Sequence, residues 1–179
     1  KQRHVDSDGS LLVDLQSSGI ATRGRVSVNT NEVTPHQPDS PSASELRKLG
    51  ATVLLHDKEH TLCNDCFYVS GYIPRKTFYE KGLPGHVTLV DGIWKADPNI
   101  DDERYIACNV KNHGLVVFSS CSHDGINNVC RDALLKTAGS TPLFGVVGGL
   151  HLAGARVEER IAQTVADLKE VEPSVVIAG

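Results

Sequence analysis

Gly114-Leu-Val-Val-Phe-Ser-Ser-Cys-Ser-His-Asp-Gly-Ile126 decides the fold of this chain, because it passes from an apolar run through a polar turn into helical spacing. Residues 115–119 read as a strand and Cys121-Ser-His-Asp-Gly125 as the turn. Ile126, Val129, Cys130, Ala133 and Leu134 then recur on one helical face. The same order returns downstream: residues 143–147 as strand, Gly148-Gly-Leu-His151 as turn, then Val157, Ile161, Val165, Leu168 and Val171 along one helix face. Residues 174–178 follow as a further strand. Strand, turn and helix in repeated order imply an α/β fold, a mixed sheet with helices packed on it.

Upstream, residues 105–110 and 115–119 flank Lys111-Asn-His-Gly114, a four-residue connection suited to an antiparallel hairpin. Residues 51–55 and 67–70 read as strands, followed by the turn-rich Gly71-Tyr-Ile-Pro-Arg75 and a Gly/Pro cluster at 82–85. Ser42-Ala-Ser-Glu45 has the capping-box pattern, opening a short helix through Leu49 that Gly50 closes. Residues 1–45 show little periodicity, and 29–44 are rich in Pro, Ser, Thr and Asn. The expected organisation is a loop-rich, weakly structured segment over 1–45 and an α/β domain over 46–179.

The 179 residues suffice for one domain that buries roughly 70% of its unfolded surface. With 22% charged residues and a formal net charge of −4, nothing points to nucleic acid. No apolar run approaches the roughly 20 residues that span a bilayer, so no membrane partner is expected. The basic start, Lys1-Gln-Arg-His4, lacks the apolar segment of a secretory signal, and the expected location is cytoplasmic. Five cysteines, an odd number, point to free thiols rather than a disulfide framework. No methionine occurs, so Lys1 is not an unprocessed translation start, and the expectation is a chain trimmed from a longer one.

In open α/β sheets ligands collect beyond the carboxyl ends of the strands. His123 and His151 each follow an apolar strand there, beside glycine, at equivalent places in successive units. Paired imidazoles suit zinc, iron, nickel or copper. Two readings stay open on the residues alone: a metal-binding pair, or two partly exposed histidines bonded to the backbone. Asp124 offers a carboxylate or a helix N-terminal charge. Cys63-Asn-Asp-Cys66 has no second pair to complete a zinc site and reads as two partly buried thiols. His56, His60, His86 and His113 fall in apparent turns and read as solvated.

Ser70-Gly-Tyr-Ile-Pro-Arg-Lys-Thr77 with Tyr79-Glu80, Gly114-Leu-Val-Val-Phe118, Ser120-Cys-Ser-His-Asp-Gly-Ile126 with Asn128, and Val147-Gly-Gly-Leu-His-Leu152 together resemble one branch of the metallo-β-lactamase superfamily. That branch includes enzymes similar to the dihydropterin synthase of methanopterin biosynthesis, and the resemblance covers roughly residues 50–179. It implies an αββα sandwich present in part, a divalent metal such as zinc near His123 and His151, and a loop over the site in which Arg75 and Thr77 meet a small, anionic substrate. A salt bridge internal to the fold is the other reading of Arg75. The superfamily's His-x-His-x-Asp-His motif is absent, and the chain ends at Val175-Val-Ile-Ala-Gly179, where a His-Cys-Thr-Gly motif is expected to follow.

Three functions follow as expectations. The first is a metal-dependent hydrolase acting through activated water on an ester, lactone or phosphoester, in a truncated form with little or no activity. The second is a non-catalytic remnant or split half that associates through exposed sheet edges, with another chain or as a homo-oligomer. The third is a thiol hydrolase with Cys121 as nucleophile and His151 as base.

Overall fold

A computed structural model describes residues 11–17, 21–36, 41–154 and 157–179. In chain order its elements are β1 (Leu11–Leu15), β2 (Arg23–Val26), β3 (Val33–Pro35), α1 (Ala43–Lys48), β4 (Ala51–Leu55), β5 (His60–Leu62), β6 (Phe67–Val69) and β7 (His86–Val90). There follow β8 (Ile93–Ala96), β9 (Tyr105–Val110), β10 (Gly114–Ser119), α2 (Ile126–Lys136), β11 (Leu143–Gly148), α3 (Ile161–Glu170) and β12 (Val175–Ala178). They form two compact units, one of Lys1–Asp57 with Gly85–Pro98, the other of Lys58–Pro84 with Asn99–Gly179.

In the first unit β1 pairs in parallel with β4, from Leu11 against Ala51 to Leu15 against Leu55. A second sheet has the order β3-β2-β7-β8. Three of these strands lie between residues 11 and 35, inside the stretch that sequence patterning reads as loop-rich. They are short, three to five residues each, and although β2 pairs locally with β3, β1 finds its partner only on β4 and β2 its second on β7, so little local alternation marks them. Residues 1–10, 18–20 and 37–40 of that stretch lie outside the described residues. The β7–β8 hairpin turns on Asp91-Gly92, both at positive φ (52° and 76°), the chemistry of a two-residue hairpin turn. The capping box at α1 forms as expected: the Glu45 backbone N–H donates to Ser42 Oγ, and the Ser42 N–H donates to Glu45 Oε2 at 2.8 Å.

The second unit carries a six-stranded sheet ordered β12-β11-β10-β9-β6-β5. Here β10, β11 and β12 are parallel, joined through α2 and α3, and β9 runs antiparallel to β10. Alternation sets the buried face. Tyr105 and Ala107 of β9 and Leu115 and Val117 of β10 are buried, whereas Ile106 and Phe118 are each 41% exposed. Against this face α2 packs Ile126, Val129, Cys130 and Ala133, all buried. Each large apolar side chain removed from water contributes about 1.5–3 kcal/mol. Tyr105 brings a polar atom into this core, and its hydroxyl donates to Asp132 Oδ2 at 2.8 Å.

The helix face expected for α3 needs correction. Val157 and Leu168 are buried, but Ile161 and Val165 are 41% and 44% exposed, and the buried positions are Thr164, Asp167 and Leu168. A 3-10 turn over Glu158–Arg160 precedes the helix. Its tighter winding of 3.0 residues per turn takes Val157 out of phase with the α-helical residues that follow.

Candidate active site

Strands β10 and β11 lie side by side in parallel, with Ser119 opposite Gly148, so the turns after them leave from the same end of the sheet. Those turns touch backbone to backbone. Gly149 N–H donates to Ser120 O at 2.6 Å, and a Cβ on Gly148 would stand 1.9 Å from Ser119 O. Glycine is required there for the close approach. The result is that the imidazole rings of His123 and His151 lie 4.7 Å apart, centroid to centroid, tilted by 56°. They share a narrow cleft, which Glu80, Ser122, Arg160 and Thr164 also line.

His123 is fixed from two sides. Behind it lies Glu103, only 8% exposed, whose Oε2 accepts the Asp124 backbone N–H at 2.8 Å. The backbone N–H groups of Ser122 and His123 lie close enough to the same carboxylate to favour its charged form. Glu103 Oε1 lies 3.6 Å from His123 Nδ1. Burial pushes the Glu103 carboxyl above its usual range, while the three backbone donors and Arg75 pull the other way. On the opposite side Arg75 Nη1 donates to the carbonyl oxygens of His123 at 3.0 Å and Glu80 at 3.3 Å. Arg75 Nη2 donates to Asn99 O and stands 2.7 Å from Asp124 Oδ1. That carboxylate contact is not aligned as a hydrogen bond, and burial holds the Asp124 carboxyl up to about 7.

Arg75 and Thr77 therefore spend their polar groups inside the fold, and neither lines the cleft. Thr77 Oγ1 donates to Glu80 Oε2 at 2.7 Å, and Asn128 Oδ1 accepts the backbone N–H groups of Lys76 and Thr77 at 2.7 and 3.0 Å. These contacts hold the loop on the start of α2. The N-cap of α2 is Gly125, which has no side chain to cap with. Glu80 takes over that role, accepting the N–H groups of Asn127 and Asn128 at 3.0 and 3.1 Å. A Cβ on Gly125 would meet Glu80 Cδ at 2.2 Å, so glycine makes room for this carboxylate.

Glu103 and Arg160 are the residues that sequence reasoning passed over. Glu103 sits in Asp101-Asp-Glu-Arg104, which reads as a solvated charge run until its burial is known. Arg160 lies beyond the expected turn, and its Nη1 donates to Gly82 O at 3.2 Å. Cys121 is an exposed free thiol outside the cleft lining, and Cys63 and Cys66 are also free. The reading of the other histidines as solvated turn residues holds for His113, which is exposed in a turn, and is corrected for His56, His60 and His86, the last two of which lie in strands. His56 Nδ1 is 2.6 Å from Asp14 Oδ2, His86 is buried with Nδ1 at 2.7 Å from Asp97 O, and His113 stacks near Phe144.

Superposed on the crystal structure of a metal-dependent hydrolase of the β-lactamase superfamily, the chain gives a TM-score of 0.71 at 19% sequence identity, over 94% of this chain and 59% of the other. The fold is that of the metallo-β-lactamase superfamily. The sequence resemblance to the methanopterin-pathway branch also holds. The chain is 35% identical over 102 residues to the 7,8-dihydropterin-6-methyl-4-(beta-D-ribofuranosyl)-aminobenzene-5'-phosphate synthase of Methanocaldococcus jannaschii. That alignment takes in 57% of this chain and spans about 33% of the synthase. No family model matches. Among the described residues no helix is long and apolar enough to cross a membrane.

Members of a metallo-β-lactamase fold that use metal need converging nitrogen and oxygen ligands, and the donor set here fits that need in part. Two imidazoles meet at one cleft, and beside one of them a buried carboxylate oxygen, Glu103 Oε1, has no hydrogen-bond partner among the described residues. Among the described residues no third histidine, cysteine or carboxylate completes a tight cluster with His123 and His151.

Proposed function

We propose that this chain carries part of the active site of a metal-dependent hydrolase, with His123 and His151 as imidazole ligands of a divalent ion of the zinc class. The observation that carries the proposal is the convergence of these two rings at 4.7 Å from the ends of adjacent parallel strands. When bound, such an ion supplies Lewis acidity and lowers the pKa of its water toward neutrality, suiting hydrolysis of an ester, lactone or phosphoester. The chain's own residues supply position and charge. Glu103, Arg75 and the Gly148-Gly149 approach fix the turns, and the half-buried Arg160 brings a guanidinium to the cleft, where it suits a small anionic substrate.

A second reading has support from the ligand count. Catalytic zinc sites take three protein ligands, and among the described residues two come together. A split half that gains its remaining ligands from another chain accounts for that count. The exposed Val175, Val176 and Ile177 on the edge strand β12 offer an edge for association. The thiol-hydrolase alternative gains nothing from the position of Cys121.

The test is titration of the metal-free chain with Zn²⁺, in the wild type and in His123→Ala and His151→Ala, together with assays on nitrophenyl esters and phosphoesters. Wild-type binding that each variant loses in large part is the expected result. Binding that survives both substitutions would remove this pair as the metal site. Binding without turnover would favour the split-half reading.

A further inference from the structure

Cys63 and Cys66 close the tip of the β5–β6 hairpin, at the outer edge of the six-stranded sheet. The strands pair His60 with Val69, Thr61 with Tyr68 and Leu62 with Phe67, so the two cysteines are the next opposed pair. The turn between them is tight. Cys66 N–H donates to Cys63 O at 3.3 Å, and Cys63, Asn64 and Asp65 all hold positive φ, between 54° and 62°. Two side-chain bonds brace the hairpin: Thr61 Oγ1 donates to Asp65 Oδ1, and Tyr68 Oη donates to Glu59 Oε2 at 3.0 Å. Both thiols are free, Cys66 exposed and Cys63 half-buried.

A four-residue turn closed by such a bond keeps its end Cα atoms within about 7 Å. Opposed residues of an antiparallel pair hold their Cβ atoms about 4.5–5.5 Å apart. A disulfide needs Cα atoms about 4.4–6.8 Å apart and Cβ atoms about 3.8 Å apart, so side-chain rotation and a shift of about 1 Å in the turn bring the sulfurs to bonding distance. We infer that Cys63 and Cys66 form a dithiol modification site, which closes to an internal disulfide by exchange with a small disulfide such as oxidised glutathione.

The exposed Cys66 attacks first, as its thiolate, and bonds to one glutathione sulfur while the other glutathione leaves as a thiolate. Cys63 then attacks the Cys66 sulfur of the mixed disulfide and expels the second glutathione. Two protein thiols are oxidised to one S–S bond, the glutathione disulfide is reduced to two thiols, and the departing thiolates take up the two protons. Because the hairpin holds Cys63 beside the mixed disulfide, the internal step outruns attack by a second glutathione. The new bond cross-links β5 to β6, the pair that joins the rest of the sheet through β9. This site is independent of the metal reading above.

The experiment equilibrates the folded chain with mixtures of oxidised and reduced glutathione, traps remaining thiols with N-ethylmaleimide and maps tryptic peptides by mass spectrometry. Peptide Glu59–Arg75 carries Cys63 and Cys66 and no other cysteine. In the wild type it is expected two hydrogens lighter, with neither maleimide nor glutathione attached. In Cys63→Ser and Cys66→Ser the internal bond is lost, and the remaining cysteine carries one glutathione. Cys130, at 0% exposure, is expected to stay unmodified as the internal control. In concentrated urea the wild-type pair is expected to need a more oxidising mixture, because the hairpin no longer holds the thiols together.

A wild-type peptide with glutathione on both cysteines overturns the inference, as does one that stays reduced in mixtures that modify the exposed Cys121. Oxidation as ready in urea as in the folded chain, or a bridge from either residue to another cysteine, overturns it too. The wild-type result decides by itself should a serine variant fail to fold.

Discussion

Ser119 of β10 and Gly148 of β11 are paired neighbours in parallel strands, and a side chain on Gly148 would stand 1.9 Å from the Ser119 carbonyl oxygen. The two turns that follow are thereby pressed together, and the histidine in each reaches the same cleft. A slip of one residue in this pairing would turn the two turns out of line, since strand side chains alternate with a period of two. The histidine pair is thus a consequence of sheet register rather than of any contact between the histidines themselves.

Anion recognition should depend on Arg160 rather than Arg75. Titrating the metal-free chain with inorganic phosphate, Arg160→Ala should weaken binding by about 1.5–3 kcal/mol, the range for a hydrogen bond to a charged group. Arg75→Ala should instead lower thermal stability, because Asp124 and the His123 carbonyl lose their cation. Phosphate-induced chemical shifts read the first effect and a melting curve the second. Phosphate binding lost in a folded Arg75→Ala and kept in Arg160→Ala would reverse the assignment.

Stability of the metal-free chain should fall as pH rises from about 4 to about 7. Burial raises the carboxyls of Asp124, to about 7, and of Glu80, whereas in the unfolded chain such groups titrate near about 4. Within that window the folded chain binds more protons than the unfolded one, so raising the pH favours unfolding. Thermal midpoints measured in steps across the window, with chelator present, should decline, and Asp124→Asn should flatten the decline. A midpoint that climbs over the same range contradicts this account.

Tyr105→Phe should cost about 1–3 kcal/mol, because the Asp132 carboxylate, 7% exposed, loses its buried hydroxyl donor while the ring volume is kept. Urea denaturation monitored by circular dichroism measures it through the midpoint. A variant as stable as the wild type would mean that Asp132 finds water or another donor.

The order of elements from β9 onward was legible because its signals are local. The apolar alternation of residues 105–119, the glycine-containing connection, and the helical spacing of Ile126, Val129, Cys130 and Ala133 each lie within a few residues of one another. The capping box of α1 is a four-residue signal and formed as read. The position of His123 and His151 at one sheet end followed from the same repetition.

What stayed hidden depended on partners far apart in the chain. Strand β1 finds its hydrogen bonds on β4, so Leu11-Leu-Val-Asp-Leu15 carries no local mark of being a strand. Glu103 looked like one charge among several because its burial and its bond from the Asp124 N–H, 21 residues away, exist only in the folded chain. Arg75 looked poised for a ligand, yet folding surrounds it with Asp124 and three carbonyl oxygens. Patterning over a few residues settles which elements form and which end of the sheet carries the histidines. Assigning each charged side chain to substrate or to scaffold needs the folded chain, because desolvation and hydrogen-bond partners are properties of the space around a residue rather than of its neighbours in sequence.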